Sequence, residues 1–172
     1  MNIDTTTIRR LRDALIASGR MALLPAGEPS EGERADGKIQ ASVKRVAPFV
    51  ETMYLMMIVD GELNQFEQDV ITGALRVLTH GVLREPELEQ IIKRCEALAR
   101  EQGVEARLEA VGSRLCADRM DREMAFSLAA VVALADQTLA REELRLIDSI
   151  AQWYGISSHR CAQILQQFEG NA

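Results

Sequence analysis

Apolar positions recur at helical spacing along most of the chain, and no segment shows sustained period-two alternation. Residues 5–23 read as an amphipathic helix, with Ile8, Leu11, Leu15 and Ile16 on one stripe and arginines on its flanks. Pro25–Lys38 combines two Pro, three Gly and many charges, which predicts a loop or linker over residues 25–40. From Ala41 onward the pattern is dense. Val43, Val46 and Ala47 begin a stripe, and Pro48 either kinks that helix or opens the next. Phe49–Val59 is apolar almost all round, as a central buried helix would be, and Asp60-Gly61 breaks it.

The helical pattern continues beyond this break. Gln65–Leu78 predicts an amphipathic helix, and Glu85-Pro86-Glu87 an acidic helix start suited to the positive end of the helix dipole. Gly103 stops that helix. Val104, Leu108, Val111 and Leu115 mark the next. Met124–Ala135 is again apolar nearly all round. Glu142–Tyr154 follows, with Leu144, Ile147, Ile150 and Ala151 expected inward and Gly155 as its stop. Ser157 or Ser158 caps a last helix carrying Cys161, Ile164 and Leu165. The expected fold is all-α: a compact multi-helix bundle over residues 41–169, preceded by the N-terminal helix (residues 1–24) and its linker.

Two stretches follow one plan, MMIVDGELNQFEQDVITGAL and VALADQTLAREELRLIDSIA. Each runs from an apolar helix through an Asp and a short turn to an amphipathic helix. At an offset of 76, Asp60 meets Asp136, Leu63 meets Leu139, Glu67 meets Glu143 and Ile71 meets Ile147. Neither half can cover its apolar surface alone, so pairing the two buried helices at the centre is the expected solution.

The shared motif is D-x-x-L-x-x-x-E. Its Asp sits at the C-terminal end of an apolar helix, where unpaired carbonyls make a carboxylate mildly unfavourable. A bound cation would compensate. Asp60, Glu62, Asn64 and Glu67 offer hard oxygen ligands of the kind that favour Ca²⁺ or Mg²⁺, and residues 60–69 contain four acids and no Lys or Arg. Asp136 and Glu143 are the corresponding acids of the second motif, where Thr138 and Ala140 replace Glu62 and Asn64 and Arg141 adds a positive charge. A structural reading uses the same residues differently. Asp60 makes an Asx-turn, and Asn64 with Glu67 forms a capping box. The segment is not an EF-hand: Gln65 stands where the loop needs Gly, and Ile71 where it needs Glu.

These residues also carry a resemblance. An apolar helix, Asp-Gly, an aliphatic residue, Glu four positions on, a helix and a closing Gly-aliphatic pair, twice in one chain, resemble the TerB-like family over Ser42–Gln167. The first motif reads VDGELNQFE; the second has Gln137 in place of the Gly. The resemblance implies a compact helical fold of two pseudo-symmetric halves, an association with tellurite resistance and stress responses, and metal binding at Asp60, Glu67, Asp136 and Glu143. Similar domains accompany J-domain co-chaperones, but this chain has no His-Pro-Asp tripeptide.

Composition narrows the function classes. Net charge is −6, and it is unevenly spread: Arg9, Arg10, Arg12 and Arg20 outnumber Asp4 and Asp13 in residues 1–24. An acidic body argues against nucleic acid as a partner and suits a cation or a basic protein. Cys95, Cys116 and Cys161, with His80 and His159, show no metal-ligand spacing and read as reduced thiols and isolated imidazoles. Met53, Met56 and Met57 have apolar neighbours, which favours core packing over a binding groove. No apolar run approaches the ~20 residues of a membrane span, and no signal peptide is legible, so a cytoplasmic location is expected. The N-terminal helix suits packing on its own domain, with contact to a membrane surface as the alternative. No nucleotide-binding or hydrolase motif is present, so no catalytic residues and no enzyme activity are expected. The leading expectation is a cytoplasmic binding module with a protein partner and acidic turns for a divalent cation. The alternative is a helical interaction scaffold, co-chaperone-like or membrane-peripheral, with no metal site.

Overall fold

A computed structural model describes residues 34–60, 71–73, 75, 79, 83–133 and 141–169, and these are overwhelmingly helical, with no strand among them. The helices are α1 (Arg34–Met57), α2 (Glu85–Gln102), α3 (Val104–Leu115), α4 (Arg119–Ala133), α5 (Arg141–Trp153) and α6 (Ser158–Glu169). A 3₁₀ turn, Ile58–Asp60, continues α1. The N-terminal helix expected at residues 5–23 lies outside the described residues.

The linker boundary needs correction. Residues 25–40 were expected to be loop, but α1 begins at Arg34, inside that stretch. Gly37 weakens a helix by only about 1 kcal/mol, and good helix formers surround it. Pro48 lies within α1, and the helix continues through it.

The core forms around the two apolar helices. Among the described helices, α1 and α4 share the most extensive face, and α1 also packs on α2 and α3. Val46, Phe49, Val50, Met53, Leu55 and Met56 of α1 are buried, as are Met124, Ala125, Phe126, Leu128 and Ala129 of α4. The expected central pairing is therefore present, and Met53 and Met56 serve as core. Leu108, Val111 and Leu115 bury the predicted stripe of α3. Ile71 and Leu75 are buried too, and the hydroxyl of Thr79 donates to the Leu75 carbonyl at 2.7 Å.

Helix ends follow local chemistry. The Arg84 amide donates to Glu87 at 2.9 Å, so the Glu85-Pro86-Glu87 start closes on itself. Gly103, at φ 84°, separates α2 from α3. At the end of α5, Gly155 (φ 64°) donates to the Gln152 carbonyl and Ile156 to that of Ala151, a Schellman arrangement. Ser157 caps α6 by accepting from the Arg160 amide at 3.3 Å.

One inward expectation on α5 fails. Leu146, Ile147, Ile150 and Ala151 are buried, but Leu144 is 45% exposed. At ~100° per residue, Leu144 lies about a quarter turn from the centre of the buried arc, in the helix's first turn.

Candidate functional site

The first acidic turn begins where α1 runs out. The α-helical part ends at Met57, and the chain tightens into 3₁₀ geometry through Asp60. This turn packs against α5. Glu143 belongs to the opening turn of α5, two residues after Arg141. The turn that ends at Asp60 thus packs on the helix that carries the second motif's Glu. Glu62, Asn64, Glu67 and Asp136 lie outside the described residues. Among the described residues, no group of three or more His, Cys, Asp or Glu is arranged to hold a metal ion.

The bundle also contains buried polar groups that the hydrophobic pattern does not announce. Glu51, one turn and a half before the end of α1, is only 3% exposed. Arg107 of α3 reaches it with Nε at 2.7 Å and Nη2 at 2.6 Å. Gln102 accepts from Arg107 Nη1 at 3.0 Å, and Arg114 stands 3.5 Å from the second Glu51 oxygen. The carboxylate is therefore buried against charge partners, as a low-dielectric site demands. Cys95 lies within the field of this cluster. Burial, reinforced by Glu51, pushes its thiol up to about 12, so it remains protonated and inert.

The next residue on α1, Thr52, is fully buried and bridges to α5's end. Its hydroxyl donates to the Pro48 carbonyl at 2.8 Å, which leaves its oxygen to accept from the Tyr154 hydroxyl at 2.6 Å. Burial raises the Tyr154 phenol above its ordinary range. The Tyr154 carbonyl accepts from Arg122 of α4 at 3.1 Å. Nearby, Glu123 is held by Arg160 and Arg119, both at 2.8 Å, and these bonds lower its carboxyl pKa. Arg45 pairs with the buried Asp121 and lies 5.5 Å from the Phe49 ring centroid.

These polar residues fasten helices together. Glu51 interrupts the run FVETMYLMM, and Arg107 falls on the Val104–Val111 face. A charge inside an apolar stripe was the available signal, but its partner lay 56 residues away. Of the three cysteines, Cys95 and Cys161 are buried as a helical Cys usually is, whereas Cys116 is exposed.

A family model described as "Tellurite resistance protein TerB" matches residues 49–167. This chain belongs to the TerB family. The matched segment begins at the buried half of α1, spans both Asp motifs and ends within α6, so the TerB unit coincides with the core-forming helices. It starts seven residues after Ser42, the first residue of the motif resemblance, and ends at the same Gln167. No curated protein and no solved structure matches the chain. No described helix is long and apolar enough to cross a membrane.

Proposed function

We propose that this TerB-family chain is a non-catalytic, cytoplasmic binding module of a metal or stress response, in which the two acidic motifs hold a divalent cation, Ca²⁺ or Mg²⁺. The observation that carries this reading is the packing of the Ile58–Asp60 turn on α5, the helix of Glu143. Acids separated by 83 residues in sequence thereby come from elements in contact. Carboxylates gathered at such a place repel one another, and a hard cation offsets that repulsion. Asp60 and Glu143 lead the donor set, with Glu62, Asn64, Glu67 and Asp136 as the remaining oxygen donors of the motifs. A tellurite or general stress role is the family-level part of the proposal, and the cation is the part the elements of this chain support.

Calorimetric titration of chelator-stripped protein with Ca²⁺ and Mg²⁺ tests it, with Asp60→Ala/Glu67→Ala and Glu143→Ala alongside. Saturable binding at one ion per chain, lost in both variants while each remains folded, is the expected outcome. Binding lost only in the first variant would assign the ion to one motif alone. If neither ion binds the unaltered chain, the motifs are turn and cap chemistry and the cation reading fails.

A further inference from the structure

We draw no further inference here: the strongest candidate, the arginine cluster of Arg119, Arg122 and Arg160 where α4 meets the α5–α6 turn, is already engaged by Glu123, Gln163 and the Tyr154 carbonyl and shares its helix turn with the carboxylates of Asp118 and Glu123, so nothing in the structure points to an anion or partner for it to hold.

Discussion

Arg45 of α1 and Asp121 of α4 form a two-pronged ion pair, and they are 76 residues apart, the same offset that aligns Asp60 with Asp136. A two-fold relation between halves brings a residue near the axis against its own counterpart. If the halves are so related, exchanging the charges preserves the geometry. Arg45→Asp/Asp121→Arg is expected to unfold within about 1 kcal/mol of the unaltered chain, while either single change loses more, because like charges then meet at a partly buried site. Urea denaturation of the three variants reads this directly. A double variant no better than the singles would show that the two sites are not equivalent.

Glu51 and Arg107 present a different case, because both are withdrawn from water. Removing one partner leaves the other charged and buried. Glu51→Gln and Arg107→Met are each expected to destabilise by about 3–5 kcal/mol. The pair Glu51→Met/Arg107→Met removes both charges and is expected to recover most of that loss. A double-mutant cycle in denaturant measures the coupling. Additive losses would mean the pair contributes no mutual stabilisation.

Close approach rather than charge governs Gly112. A Cβ there would stand 2.7 Å from the Trp153 carbonyl oxygen and 2.8 Å from Tyr154 Cδ1, so α3 and α5 meet through this glycine. Gly112→Ala forces a backbone shift and is expected to lose about 1–3 kcal/mol. At Gly155 the obstacle is conformational as well, since φ is 64° and Arg122 Nη1 lies 2.7 Å from the added carbon. Trp153 is the chain's one tryptophan, so its fluorescence follows Gly112→Ala and Gly155→Ala through unfolding. Unchanged midpoints would refute the packing argument.

The buried phenol and thiol predict an alkaline limit. Tyr154 and Cys95 have folded-state pKa values above their unfolded ones, Cys95 at about 12. Their contribution is complete below the unfolded values, about 8.5 for Cys and about 10 for Tyr. It declines as pH rises from there toward the folded values, because the unfolded chain then releases protons that the folded chain retains. Stability is expected to fall from about pH 8.5 upward, more steeply above about pH 10. In a Tyr54→Phe background, tyrosinate absorbance should rise together with loss of helical ellipticity. Ionisation of Tyr154 at about pH 10 in a fully folded chain would contradict its burial.

Hydrophobic periodicity determined the helical class, the central placement of Phe49–Met57 and Met124–Ala133, and most helix ends. These depend on neighbours in sequence: 3.6-residue spacing selects the buried stripe, Pro86 and Glu87 open a helix, and Gly103 and Gly155 close two. The two Asp motifs were legible for the same reason. Tertiary structure decided what lies across the bundle from each residue. Glu51 reads only as an anomaly in an apolar helix until Arg107 is brought 2.7 Å away, and Thr52 is unremarkable until Tyr154 meets it from 102 positions on. Leu144 belongs to an apolar stripe by spacing, but the rotation of α5 against its neighbours leaves it in solvent. Spacing along one helix establishes which residues share a face. Which partner that face meets, and at what rotation, depends on the packing of several helices at once, and so does the contact between the Asp60 turn and α5.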